Sequence, residues 1–183
     1  MSFLKADYSK NQEQGFDAVP TGNYEVLINK AQEQATKNGA ESLQLDLLIR
    51  NDLDKVPALA ETNAKYHNRH VFMDNWKRKN TNQYDTDSFQ YILDAVKVPE
   101  GTVLNSVEDF AKAISGKPVQ AYIKNEDNTY NGKTEKVNRV APWNISETAY
   151  PEVNHKYKDT DSSSDPFANS DNQVNISDSE IPF

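Results

Sequence analysis

The fold is decided by two alternating segments, Tyr24-Glu25-Val26-Leu27-Ile28-Asn29 and Leu43-Gln44-Leu45-Asp46-Leu47-Leu48-Ile49. In both segments every second residue is apolar, which is typical of a strand that buries one face. A turn signal at 20–23 opens the first segment, and Asn38-Gly39 between the two is a strong hairpin signal. The sequence therefore predicts a long β-hairpin at the centre of the fold.

Three further strands and two helices follow the hairpin. Alternating apolar residues predict the strands, and apolar stripes with helical spacing predict the helices. The predicted bounds, in chain order, are a strand at 66–76, helices at 87–96 and 106–116, and strands at 119–124 and 133–140. A polar loop is predicted at 125–132, between the last two strands.

This order of elements is the connectivity of an OB-fold, a small Greek-key barrel. The predicted fold class is mainly β: a five-stranded OB-fold-like barrel with a helical insertion between strands 3 and 4. We expect a flexible N-terminal segment at 1–19, the OB-fold domain at 20–150 and a disordered acidic tail at 151–183. Ser, Asp and Asn dominate from residue 159 onward, and such a composition cannot form a core.

The net charge of −8 is unevenly distributed. Residues 159–183 hold six acids and no Lys or Arg, so the rest of the chain has 22 acids and 20 bases. An acidic interaction tail on a domain of mixed charge has this pattern. Within the domain, the stretch 63–80 is locally basic and contains Tyr66, Phe72 and Trp76.

Several classes of protein are not expected. No apolar run approaches the ~18 residues of a membrane helix, and the first residues have no signal-peptide pattern. The chain has no cysteine, which removes disulfides and thiolate metal sites and fits a cytoplasmic protein. The sequence also lacks a GxSxG motif and a phosphate-binding glycine loop, so we predict neither an enzyme nor a cofactor. A two-metal nuclease built from scattered acids stays open as an alternative.

His67 and His70, with Asp74, are the residues that suggest a metal site. On a strand, a spacing of three places the two histidines on opposite faces. We therefore predict no metal site.

Aromatic and basic residues along the later strands suggest a nucleic-acid surface. Unpaired DNA offers base faces and phosphates, so a generic binder needs aromatic platforms and cations along one groove. In an OB-fold, strands 2 and 3 form that groove. The candidate DNA-binding residues are Tyr66, Arg69, Trp76, Lys77, Arg78, Lys79, Tyr122, Lys124 and Arg139.

The sequence leaves the phase of the third strand open. If His70 and Phe72 point inward, then Val71 and Met73 face outward; in the other phase Phe72 is exposed and can stack on a base. Phe in the middle of a strand is usually a core residue. We therefore favour Trp76 over Phe72 as the stacking residue. For Tyr122 and its neighbours, an ordinary solvated face is the alternative.

The end of the chain suggests a second kind of site. A polar, acidic segment finishes in two apolar side chains around a rigid proline. Ile181 and Phe183 can enter an apolar pocket while carboxylates meet cations around its rim. The predicted partner-binding residues are Asp178, Glu180, Ile181, Pro182 and Phe183.

Two independent resemblances accompany these residues. The ending Asn175-Ile176-Ser177-Asp178-Ser179-Glu180-Ile181-Pro182-Phe183 closely resembles the acidic C-terminal tip of bacterial single-stranded DNA-binding proteins. Residues 16–143 resemble a family of phage replication-module proteins, many described only as of unknown function or as single-stranded DNA-binding. The matching motifs are Pro20-x-Gly22-x-Tyr24, His70-Val71-Phe72, Phe89-x-x-Ile92-Leu93 and Asn138-x-Val140.

The resemblances imply a bacteriophage protein that binds and protects single-stranded DNA, with little sequence preference, during DNA replication or recombination in the bacterial cytoplasm. The tail would recruit host or phage proteins. Two alternatives stay open: an OB-fold adaptor that binds only proteins, and a strand-annealing recombination protein. The oligomeric state is also open, and a homo-oligomer is among its alternatives.

Overall fold

The computed structural model describes residues 17–157, which form six strands and three helices. The strands are β1 (Gly22–Ala35), β2 (Glu41–Ile49), β3 (His70–Trp76), β4 (Pro118–Tyr130), β5 (Lys133–Arg139) and β6 (Ile145–Glu147). The helices are α1 (Asn63–Tyr66), α2 (Thr86–Ala95) and α3 (Val107–Ile114), with single 3₁₀ turns at Pro57–Leu59 and Pro142–Asn144. The predictions for 1–16 and for 158–183, including all five partner-binding residues, lie outside the described residues.

The strands form one antiparallel sheet in the order β3-β2-β1-β4-β5, with β6 paired to β4. After the meander of β1 to β3, the chain crosses through α2 and α3 and returns beside β1, which is a Greek key. The mainly β class and the helical insertion between strands 3 and 4 are thus confirmed. The sheet is not closed, because β3 and β5 are the two ends of the path. The count of five strands was one short, since β6 is only three residues long.

The predicted central hairpin is β1 and β2. Its strands pair from Val26 opposite Ile49 to Ala35 opposite Glu41, with one irregularity between Ile28 and Lys30. The inward side chains are fully buried and make the centre of the core: Tyr24, Val26 and Ile28 with Leu43, Leu45, Leu47 and Ile49. Burial of this apolar set, at about 25 cal/mol per Å² of apolar surface, is the main force that holds the sheet together.

The predicted polar loop at 125–132 was wrong. Strand β4 continues to Tyr130, and the turn contains only Asn131 and Gly132, with φ of 49° and 77°. A two-residue turn in which both φ values are positive matches the right-handed twist of a hairpin and favours Asn-Gly. This local turn extends two polar strands that have little apolar surface to bury.

The helical insertion closes one end of the core. Ser106, the first residue of the second predicted helix, caps α3, because its Oγ accepts a hydrogen bond of 3.1 Å from the backbone N–H of Asp109. The ring of Phe89 on α2 stacks on that of Phe110 on α3, with centroids 4.5 Å apart. The two helices therefore pack together as one apolar unit against the sheet.

Residues 17–19 lie between β5 and the residue that precedes β3. Asn138 binds both backbone groups of Val19 at 2.9 Å, and Asn125 donates to the carbonyls of Ala18 and Val19. On the other side, Arg69 donates to the carbonyl of Asp17. Val19 is buried in the core. These three residues are therefore packed, although the sequence predicted a flexible segment up to residue 19.

A buried arginine anchors the chain beyond residue 147. Arg50, which is 0% exposed, forms a bidentate pair with Asp52, with N–O distances of 3.0 and 2.6 Å. It also donates to the carbonyls of Tyr150 and Glu152, at 2.6 and 2.5 Å. Burial alone would raise the pKa of Asp52, but hydrogen bonds from Arg50 and from the Asn154 backbone, with the charge of Arg50, hold it below its usual range. We call residues 148–156 the strap.

His155 fastens the end of the strap and should make it sensitive to acid. Its Nδ1 accepts the backbone N–H of Asn51 at 3.1 Å, which requires an unprotonated Nδ1. Burial lowers the pKa of His155 from its ordinary value of 6.5, so the fold prefers the neutral ring. Stability that depends on this ring is present above about pH 6.5 and is lost as the pH falls through the folded pKa.

We expect His155→Gln to reduce this acid sensitivity, because glutamine accepts the same N–H without titrating. Urea unfolding at neutral and mildly acidic pH measures the effect: the wild type should lose more stability on acidification than the variant. Equal losses in the two proteins would contradict this role of His155.

The helices of residues 17–157 are all too short and too polar to cross a membrane.

Candidate functional site

The outward side of β1, β2 and β3 is a continuous surface three strands wide. Residues directly opposite on antiparallel strands point to the same side, and the register gives three cross-strand rows. They are Lys30–Asp46–Phe72, Gln32–Gln44–Asp74 and Gln34–Ser42–Trp76. We call this surface the outer face.

Two large aromatic side chains stand on the outer face. Phe72 is 53% exposed and Trp76 is 50% exposed, whereas Val71 and Met73, on either side of Phe72 in the strand, are buried. Positions 72, 74 and 76 alternate with the core positions, so the two rings lie on one side of β3, roughly 13 Å apart along the strand. Exposed rings on a rigid strand are suited to stacking against flat ligands.

The structure decides the phase of the third strand against the expectation that Phe72 is a core residue. Val71 lies opposite Leu47, and Met73 opposite Leu45, so these two residues fill the core side. Phe72 is instead outward, with its ring parallel to that of His70 at 6.4 Å. Trp76 was preferred over Phe72 as a stacking residue because Phe72 was expected in the core. Since both rings are exposed, that preference no longer holds.

Tyr66 is not part of this face. The predicted strand began at residue 66, but Tyr66 ends α1 and the strand starts at His70. Its ring packs edge-on against the buried Tyr24, at 6.2 Å between centroids. Tyr66 therefore supports the core and is not available as a stacking platform.

The predicted cations at the end of β3 are mostly engaged. Lys77 pairs with Glu41 and with Glu33, the latter at 3.8 Å, and the hydrogen bond to Glu41 raises its pKa. Arg78 pairs with Asp85 at 3.0 Å. Within residues 17–157, Lys79 and Lys30 are exposed and have no ion-pair partner. The basic stretch of the sequence is thus largely neutralised in the fold.

Tyr122, Lys124 and Arg139 lie far from Trp76. Tyr122 is opposite Asn23 on β1, whereas the row of Trp76 meets β1 at Gln34, roughly 36 Å of strand further on. Lys124 and Arg139 face each other across β4 and β5, and Arg139 contacts Glu126 at 3.5 Å. The structure therefore divides the predicted DNA-binding residues between two regions.

The two central histidines are held apart. Nδ1 of His67 is 2.8 Å from Asp54, and Nδ1 of His70 is 2.7 Å from Asp46. No group of three or more His, Asp or Glu side chains suited to a metal ion occurs in the part of the chain that the structure describes.

A groove of about 760 Å³ lies beside the end of β3, between α2 and α3. Tyr84, Phe89 and Phe110 supply its aromatic side chains, and Lys77 lies at its edge, 5.1 Å from the centroid of Tyr84. Sequence analysis treated the apolar helix positions as core, which is correct for Phe89 and Phe110. The groove itself arises from the gap between the helices.

Sequence reasoning weighed Phe72 as a stacking residue but did not select it, considered Asp74 only for a metal site, and gave Arg50 no role. The period-two pattern could have assigned Phe72 and Asp74 to the outer face, since Val71 and Met73 are the better core residues of the strand. No sequence signal marks Arg50, because its partners at Tyr150 and Glu152 are about a hundred residues away.

A comparison with protein-family models matches residues 6–166 to the family described as "Protein of unknown function (DUF669)". A comparison with curated proteins found no match. Because the family model covers most of the sequence, this chain belongs to the DUF669 family.

Proposed function

We propose that this protein binds single-stranded DNA on the outer face. The observation that carries the proposal is the pair of exposed rings, Phe72 and Trp76, on one side of a strand whose other side is core. Each base stacked on an aromatic side chain contributes about 1–3 kcal/mol, and stacking is tolerant of sequence. Two such platforms on a rigid strand suit an unpaired, extended strand better than a duplex, whose bases are already stacked.

The strand order supports an OB-fold relationship. A Greek-key sheet with a helical connection between the third and fourth strands is the expected arrangement, and strands 2 and 3 form the binding surface of such folds. In this proposal, residues 17–19 bridge the seam between β3 and β5 where a closed barrel would pair these strands.

The acidic segment 159–183 supplies the second half of the proposal. It carries six acids without a base, and its last residues combine carboxylates with Ile181 and Phe183. We propose that it recruits replication or recombination proteins of a phage or its bacterial host while the outer face holds DNA. Being tethered, it keeps a recruited partner at high local concentration near the bound strand.

A titration of the full chain with fluorescein-labelled, unstructured single-stranded DNA tests the proposal. Lys30 and Lys79 lie on or beside the outer face and have no ion-pair partner in residues 17–157, so we assign one phosphate contact to each of these two lysines. The logarithm of affinity should then fall with the logarithm of salt concentration with a slope of about −1.4. Lys79→Gln should reduce that slope by about 0.7.

The matched control is Lys112→Gln, which removes an exposed cation on α3, and should leave the slope unchanged. No binding in dilute buffer would refute the proposal. A slope that Lys79→Gln does not change would remove Lys79 from the site.

The groove between α2 and α3 favours a second candidate function, a protein adaptor. Its aromatic side chains suit an apolar peptide segment. An adaptor would bind protein partners and ignore DNA at all salt concentrations, so the same titration separates the two candidates.

A further inference from the structure

One oxygen of Asp74 is an open hydrogen-bond acceptor between the two exposed rings. Its Oδ1 accepts from Nε2 of Gln44 at 3.2 Å and from Oγ of Ser42 at 3.4 Å. Its Oδ2 has no hydrogen-bond partner within residues 17–157. Since Ser42 is buried, one side of the carboxylate is fixed to the strand below and the other is left for a ligand.

The neighbouring Asp46 differs in this respect. Its Oδ1 is bound to Nδ1 of His70 at 2.7 Å, and its Oδ2 accepts from Nδ2 of Asn29 at 2.7 Å. Both oxygens are therefore used within the protein. Asp46 organises the face, whereas Asp74 is the carboxylate that can accept from outside.

Asp74 is placed where its carboxylate can contact the edge of a base that stacks on a neighbouring ring. Same-side residues on a strand are about 7 Å apart, so Asp74 is adjacent to both Phe72 and Trp76. A base that stacks on either ring directs its edge along the face toward the carboxylate. An ionised carboxylate only accepts hydrogen bonds. It matches the exocyclic amino group of cytosine or adenine, which projects from the edge of the base. Unpaired thymine offers a carboxylate only its N3–H, which lies between two carbonyl acceptors that repel the negative charge.

We infer that Asp74 gives the outer face a preference for single-stranded DNA whose bases carry exocyclic amino groups, with cytosine favoured over thymine. The inference rests on the proposed function and deepens it by naming the bases that the face selects. The inference also explains why a carboxylate, which repels phosphates, lies between two stacking residues. In this arrangement the carboxylate contacts the bases, and the phosphates lie further from the sheet.

Oligo-dC and oligo-dT of equal length test the inference, because both are pyrimidines and differ little in ring size. The full chain is titrated with each at mildly alkaline pH, where cytosine stays neutral. The wild type should bind oligo-dC about fivefold more tightly, the low end of base discrimination, because one hydrogen bond is made. Asp74→Asn should bring the ratio close to one, since an amide can also donate to O4 of thymine.

Asp46→Asn is the matched control: it removes a carboxylate from the same face, and should change both affinities without changing their ratio. Equal binding of the two oligonucleotides by the wild type would overturn the inference and leave the proposed function intact. A ratio that Asp74→Asn preserves would also overturn it. If neither oligonucleotide binds, the proposed function fails together with the inference.

Discussion

Replacing Arg50 with methionine is expected to lower the free energy of unfolding by about 3–5 kcal/mol, the cost of removing one partner of a buried ion pair. Asp52, only 6% exposed at its side chain, would keep a carboxylate without its guanidinium. The carbonyls of Tyr150 and Glu152 would each lose a donor. Methionine keeps much of the volume, so the loss reports on charge and hydrogen bonding.

Denaturant unfolding followed by circular dichroism measures this effect. The control is Arg78→Met, which breaks the exposed pair with Asp85 and should cost no more than about 1 kcal/mol. Arg50 and Arg78 each help to lower the pKa of their partner carboxyl, but only the Arg50–Asp52 pair is buried. The lowered pKa of Asp52 contributes stability that is present above its unfolded value and is lost as the pH falls through the folded pKa. The Arg50→Met variant should lack this contribution. An equal loss of unfolding free energy in Arg50→Met and Arg78→Met would contradict the role of Arg50 as a buried anchor.

Replacing Phe72 and Trp76 together with alanine is expected to weaken single-stranded DNA binding by about 2–6 kcal/mol, or at least thirtyfold, if each ring stacks on one base. The two single variants should each lose about 1–3 kcal/mol. Because both rings are only half buried, each substitution should cost less stability than the roughly 3–5 kcal/mol of a core Phe or Trp. Fluorescence anisotropy of a labelled oligonucleotide measures the affinities, and a thermal melt measures the stability.

Trp143→Ala is the control for these substitutions. Trp143 is an exposed tryptophan like Trp76, but it lies in the 3₁₀ turn before β6, away from the outer face. Its removal should leave the affinity unchanged. If Trp143→Ala weakens binding as much as Trp76→Ala, the binding surface lies elsewhere. If the double variant binds like the wild type, stacking on β3 is not the mode of binding.

Local signals account for the parts of the fold that sequence analysis predicted correctly. The alternation in β1 and β2, the cap at Ser106 and the glycine after α3 each act within a few residues, so they can be read directly. The same kind of signal, Asn131-Gly132, was present but was taken for part of a loop, because the flanking strands are polar. Tyr66 was misassigned because the predicted strand began at residue 66, whereas Tyr66 ends the short helix α1 and its ring packs against Tyr24.

By itself the sequence determined the mainly β class, the central hairpin and the helical insertion, because periodicity and turn chemistry are short-range properties of the chain. Only the tertiary structure decided which cations stay unpaired, which side of β3 carries Phe72, and how Arg50 holds the strap. These features depend on partners between seven and about a hundred residues away, such as Asp85, Leu45 and Glu152. The ion pairing and burial of these residues depend on contacts that form only when the sheet brings distant parts of the chain together. Such contacts cannot be inferred from composition or from local sequence patterns.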